Sequence, residues 1–150
     1  MIKCKPAEAK MLCLDDPVRP EISGNQRTSG HFEMYYTGGL EIGERKAVIC
    51  CAFCNKIPTT VDELLHSSSG DIAVFYSVWS YNSAPRAGRD IVFSAIALAK
   101  ERGMRRFVTM SPKTEMARRF HLRNGAILLN ENEETNNFEY KETPDSTSNL

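Results

Sequence analysis

Two places in the 150-residue chain carry residue types at a spacing that suits chemistry. The first is Arg86-Ala87-Gly88-Arg89, where a loop gives way to a segment of helical apolar period. A helix starting at Ala87-Gly88 presents unpaired backbone N–H groups and a partial positive charge, and both attract phosphate. Gly88 lets a ligand approach the backbone closely, and Arg86 and Arg89 flank it. The second is Cys51-x-x-Cys54, with Cys50 beside it. A zinc site of this kind needs a second Cys or His pair at finger-like spacing, and His31 and His66 form none. The three cysteines lie in or beside the apolar run Ala47 to Phe53. We read them as buried thiols on a strand and expect no metal.

The turn at Arg86 needs elements to hold it. Asp71 to Ser80 is apolar at both alternating sets of positions, so it is expected to be a central, doubly covered strand. Tyr81 to Ala87 follows as a loop, and Gly88 to Arg102 as an amphipathic helix. Ile91, Ala95, Leu98 and Ala99 form its stripe, Val92 and Ile96 widen it, and Gly103 stops it. Further strands are expected over His31 to Thr37, Lys46 to Cys54, Arg106 to Met110, Ala126 to Asn130 and Asn136 to Lys141. Short helices are expected at Ala7 to Leu14 and after the capping box Thr60-x-x-Glu63. Ser111-Pro112 reads as the N-cap and first residue of a helix that carries Met116 and Phe120 and ends at Asn124-Gly125. Most of residues 1 to 30 show no clear period, and residues 142 to 150 read as a frayed polar tail. Strands alternating with helices imply an α/β or α+β fold, a mixed sheet flanked by helices in a single domain over residues 1 to 141.

The totals bound what such a domain does. Lys plus Arg and Asp plus Glu both number 19, apolar residues make up 41% and the pI is near 6.8. This is a globular composition, and its neutrality argues against a general nucleic-acid partner. The zero conceals an asymmetry. From Arg86 to Arg123 there are ten basic and three acidic residues, a net of +7. From Glu131 to Leu150 there are six acidic and one basic, a net of −5. The basic stretch suits a polyanion of nucleotide size. No apolar run reaches the roughly 18 residues that span a membrane. The start carries no signal-peptide pattern, and five cysteines without framework spacing fit a reduced, cytoplasmic location.

The run Val74 to Ser80, then Arg86-Ala87-Gly88, then a helix ending Ala99-Lys100-Glu101-Arg102-Gly103, resembles the GCN5-related N-acetyltransferase (GNAT) superfamily. That family holds the coenzyme A pyrophosphate on this turn, in a motif Arg/Gln-x-x-Gly-x-Gly/Ala. Ser83, Arg86 and Gly88 stand at its fixed positions, and only Gly88 fits it. The resemblance implies coenzyme contacts from Val78, Ser80, Arg86, Ala87, Gly88 and Arg89. Over Lys46 to Tyr140 the chain further resembles the catalytic domain of malonyl-CoA decarboxylase, a branch of the same fold. Phe75-Tyr76-Ser77, Phe107 to Pro112, Phe120 to Ala126 and Asn137 to Tyr140 follow one another in that family's order. The resemblance implies that Ser111 is a catalytic serine and His121 a catalytic histidine. It also implies an active-site serine at Ser77, an acidic residue at Asp90 and a tyrosine at Tyr140. Only residues 112 to 120 separate Ser111 from His121, where that family carries a long insertion. The family's N-terminal helical domain has no counterpart in this sequence.

Decarboxylation of malonyl-CoA to acetyl-CoA and carbon dioxide needs no metal, because the thioester is the electron sink. It needs donors aimed at the enolate oxygen and a proton donor titrating near neutrality. On this reading Ser111 holds the carboxylate or thioester oxygen and His121 donates the proton. Ser77 and Tyr140 add hydrogen bonds, and Asp90 positions a partner or His121. The alternatives are an acyl-CoA-dependent N-acyltransferase, with His121 or Glu139 as base, and a non-catalytic acyl-CoA-binding module. In each the partner is a coenzyme A thioester rather than nucleic acid or membrane, and a homodimer through strand edges is left open.

Overall fold

The computed structural model describes residues 1–81 and 84–141. Ser83 of the turn motif and the expected tail therefore lie outside the described residues. The strands are β1 (Ile2–Lys3), β2 (Phe32–Gly38), β3 (Arg45–Cys54), β4 (Ile72–Ser80), β5 (Arg106–Thr109), β6 (Ser111–Pro112), β7 (Ile127–Glu131) and β8 (Thr135–Tyr140). The α-helices are α1 (Pro6–Leu12), α2 (Val61–Leu65), α3 (Ala87–Glu101) and α4 (Glu115–Arg123). One mixed sheet runs β1-β2-β3-β4-β5-β8-β6, with β7 also paired to β8. Among the described strands only β4 and β5 run parallel, and α3 is the crossover between them.

Both faces of the sheet are covered. Ile91, Val92, Ala95, Ile96 and Ala99 of α3 pack on Ile49, Cys51, Phe75 and Phe138. On the other face Leu12 of α1 and Ile22 of the following segment pack on Met34, Cys50, Cys54, Val74 and Tyr76. This accounts for β4 being apolar on both faces. It also separates the cysteine pair. Strand alternation sends Cys51 to the α3 side and Cys54 to the α1 side, so the two thiols cannot share one ion.

Two irregularities of β4 shape the molecule. Cys51 pairs with Phe75 and Cys50 with Ser77, which leaves Tyr76 as the extra residue of a β-bulge. Alternation alone would put Ser77 on the Phe75 side. The bulge resets the parity, so Ser77 and Trp79 follow Tyr76 onto the α1 side. The second irregularity is a splay. β5 pairs with β4 only from Ile72↔Arg106 to Phe75↔Thr109, and Met110 N then donates to Phe75 O. Beyond that point the chain leaves β4, and β6 pairs with Asn136 and Thr135 of β8.

The helix expected at Ser111-Pro112 is corrected. Those residues form β6, and Thr114 is the N-cap, its Oγ1 accepting from Ala117 N at 3.1 Å. Pairing with β8 outcompetes the local Ser-Pro signal, and the later start shortens the helical path to His121. The Thr60 cap forms as expected, accepting from Glu63 N, but Glu63 reaches past Thr60 to the Thr59 backbone N–H. Gly103 and Gly125, with φ of +86° and +97°, end α3 and α4 as expected. Among the described residues no helix is long and apolar enough to cross a membrane.

Candidate active site

The splay opens a cleft of about 320 Å³ between the second half of β4 and the β6–α4 segment. Phe75 to Ser80 of β4 form one wall, Thr109 to Pro112 another, and Met116, Ala117, Phe120 and His121 a third. Pro17 and Val18 close it on the α1 side. Ser77, Ser111 and His121 thus come to one cavity from three separate elements.

His121 is 5% exposed and sits against Phe138 and Phe120, with ring centroids 5.3 and 5.1 Å away. Its Nδ1 lies 2.8 Å from the Tyr140 hydroxyl. Burial lowers its pKa to about 4, so the imidazole is neutral at pH 7. Burial raises the pKa of Tyr140, which keeps its proton. Nε2 has no protein partner among the described residues and is the ring nitrogen left for the cavity. Ser77 Oγ donates to Asp16 Oδ2 at 2.9 Å, and Ser111 Oγ lies 2.8 Å from Thr109 Oγ1.

A wider, open cleft of about 720 Å³ adjoins this pocket. Arg86, Arg89, Arg119 and Arg123 line it, and it shares Ser80, Gly88, Met116 and Phe120 with the pocket. The shared residues form the passage between the two. A Cβ added at Gly88 would stand 3.7 Å from Phe120 and 3.8 Å from Ser80, inside that passage. Four guanidinium groups beside the start of α3 suit a polyphosphate. Arg89 stacks on Phe93 at 4.4 Å, and Arg119 lies 3.6 Å from Glu115.

Most of the residues singled out in the sequence meet here. Val78 lines the inner pocket; Arg86 and Arg89 line the outer cleft; Ser80 and Gly88 line both. Tyr140 reaches the pocket through His121. Ala87 borders neither cavity and packs against the α3-side core. Asp90 is not brought to the site. Its neighbours Ile91 and Val92 face the sheet, which turns Asp90 outward, where its side chain is 65% exposed and 3.5 Å from Arg89. Glu139 pairs with Arg106 at 2.7 Å and borders neither cavity. The sequence reading missed Thr109, Asp16, and Arg119 and Arg123 of α4. For Arg119 and Arg123 a signal existed, since residues four apart share a helix face within the +7 stretch.

No protein-family profile and no curated protein matches the chain. Solved structures do. The GNAT domain of S. lividans PAT superposes with a TM-score of 0.64 at 16% identity, over 92% of this chain and 87% of that one. AtaTR bound with AcCoA gives 0.59 at 13% identity, over 85% and 80%. Malonyl-CoA decarboxylase from Agrobacterium vitis gives 0.55 at 19% identity, over 76% of this chain but only 32% of that protein. Acetyltransferases and a malonyl-CoA decarboxylase thus stand together among the similar structures, as the motifs led one to expect. The mixed sheet with its splayed β4 and β5, the crossover helix α3 and the two covered faces have the GNAT fold.

Proposed function

We propose that this protein is an acyl-CoA-dependent N-acyltransferase. One observation carries the reading: an arginine-lined cleft at the start of α3 leads, past Gly88, into an apolar pocket that ends on a neutral histidine. A coenzyme A thioester has that sequence of parts, with phosphates, a slim pantetheine arm and a small acyl group. The edge of β4 beyond Phe75, which β5 leaves unpaired, offers backbone groups to the amides of the arm. With the acyl carbon in the pocket, an amine attacks it, the C–N bond forms and the C–S bond breaks. In the tautomer whose Nδ1–H donates to the Tyr140 hydroxyl, His121 Nε2 takes the proton of the attacking nitrogen and returns it to the leaving thiolate, so no charge stays on the buried ring. The acetyltransferase folds of similar structure, one of them bound with AcCoA, support this reading. Five free cysteines suit a reducing compartment, and we place the reaction in the cytoplasm.

The second reading, decarboxylation of malonyl-CoA, is favoured by the meeting of Ser77, Ser111 and His121 in one pocket with Tyr140 behind the imidazole. One assay separates the two. The purified protein is given acetyl-CoA with a panel of primary amines, and malonyl-CoA alone, while thiol release and acetyl-CoA formation are followed. Amine-dependent thiol release, lost in His121→Ala, is the expected result. Acetyl-CoA formed from malonyl-CoA without an amine, and no transfer, replaces the first reading with the second.

A further inference from the structure

Ser77 and Ser111 line the same pocket and are each 3% exposed. A serine hydroxyl has one hydrogen to give and two lone pairs to offer. Its protein partner decides which of these is left for a ligand. The two serines have opposite kinds of partner.

At Ser77 the partner is a carboxylate, which only accepts. Ser77 Oγ donates to Asp16 Oδ2, and Arg27 Nη1 holds that same oxygen at 2.6 Å. The other oxygen, Oδ1, takes the backbone N–H groups of Val18 and Arg19. Asp16 is thereby fixed, the hydrogen of Ser77 is committed to it, and the Ser77 oxygen faces the pocket as an acceptor. At Ser111 the partner is a hydroxyl that is already used as an acceptor. Thr109 Oγ1 accepts from Phe138 N at 3.0 Å. Thr109 is 1% exposed, and Ser111 Oγ is the acceptor available to its own hydrogen among the described residues. A buried hydroxyl hydrogen left without an acceptor is costly, so Thr109 donates to Ser111. The hydrogen of Ser111 is then the one that points into the pocket.

We propose that Thr109 and Asp16 are positioning residues that give the pocket a fixed polarity, a donor at Ser111 and an acceptor at Ser77. This deepens the proposed acyl transfer and rests on it. The thioester carbonyl oxygen, which only accepts, belongs at Ser111. The N–H group of the attacking amine belongs at Ser77. A substrate carboxylate at Ser77 would meet a lone pair with Asp16 behind it, so the acyl group is uncharged and the acceptor is a nitrogen nucleophile.

Calorimetry with acetyl-CoA and S-ethyl-CoA, a thioether lacking the carbonyl oxygen, tests the donor. The wild type should bind acetyl-CoA about tenfold tighter, the equivalent of one hydrogen bond. That preference should vanish in Ser111→Ala, shrink in Thr109→Val, where the Ser111 hydroxyl is no longer oriented, and survive in Thr109→Ser. S-ethyl-CoA should bind all four proteins alike, which a merely damaged fold would not allow. Equal affinity of the wild type for both probes, or a preference undiminished in Thr109→Val, overturns the proposal and leaves the coenzyme site standing. Binding of neither probe overturns the acyl-CoA reading on which it rests. Malonyl-CoA tests the acceptor: it should bind no tighter than acetyl-CoA. Tenfold tighter binding that Ser77→Ala abolishes would show Ser77 to be a donor and reverse the assigned polarity.

Discussion

The Nδ1 atom of His121 and the hydroxyl of Tyr140 lie 2.8 Å apart, joining α4 to β8 behind the pocket. The pair faces Phe138 and Phe120 rather than a carboxylate, so nothing nearby compensates a charge on the imidazole. That is why its pKa falls to about 4 instead of rising.

A pH dependence follows, with a definite sign. Between pH 6.5 and 4 the unfolded chain binds a proton at His121 that the folded chain refuses, so stability rises with pH across this window. The contribution is fully present above about 6.5 and is lost as pH falls towards 4. The shift is worth roughly 3 kcal/mol at 1.36 kcal/mol per unit. Urea midpoints measured from pH 7 to 4 should fall for the wild type and fall less for His121→Gln. Activity should show no inflection near 6.5, because the imidazole stays neutral well below it. An inflection of the wild-type activity near 6.5 would place the histidine in a wet environment.

The outer cleft should bind through charge. Replacing Arg119 and Arg123 together by alanine should weaken acetyl-CoA binding about tenfold or more, since each phosphate contact is a charge-assisted bond. The wild-type affinity should fall with added salt, and that of the double variant should fall less steeply. An unchanged dissociation constant would move the coenzyme phosphates off this cleft.

Gly88 separates folding from binding. A methyl at this position meets its neighbours at ordinary contact distances, so the fold tolerates it. Alanine also removes the entropy cost of a helical glycine, worth about 0.5–1 kcal/mol. Gly88→Ala should therefore melt no lower than the wild type, yet bind acetyl-CoA more weakly, because the methyl occupies the passage between the cleft and the pocket. Unaltered affinity would mean that the ligand does not pass there.

The covered strand, the crossover helix and the basic turn were legible because each is a local pattern. Both faces of β4 are apolar, α3 repeats at 3.6, and Arg86 to Arg89 are contiguous. Strand β6 was misread because Ser-Pro is a good helix start by itself. Only the distant Asn136 and Thr135 show that the segment belongs to the sheet. The bulge at Tyr76 leaves no mark in the sequence, yet it decides which face Ser77 takes. Residues 1 to 30 were opaque for a similar reason. Their structure is organised by one buried arginine, Arg27, which binds Asp16, Arg19 and Ile22 of the same stretch and Cys50 on the distant β3.

That arginine supports the last prediction. Arg27 is fully buried and makes four hydrogen bonds: to Ile22 O, Arg19 O, Asp16 Oδ2 and Cys50 Sγ. It ties the segment carrying Pro17 and Val18, one wall of the pocket, to β3 and fixes the carboxylate that holds Ser77. Removing one partner of such a pair strands a charge in the core, at a cost of about 3–5 kcal/mol. Removing both charges leaves none, so Asp16→Asn with Arg27→Met should be less unstable than Arg27→Met alone. Urea unfolding of the two single variants and the double variant measures the coupling. A double variant that loses the sum of the single losses would show that the two charges do not depend on one another, and that the wall of the pocket is held by packing.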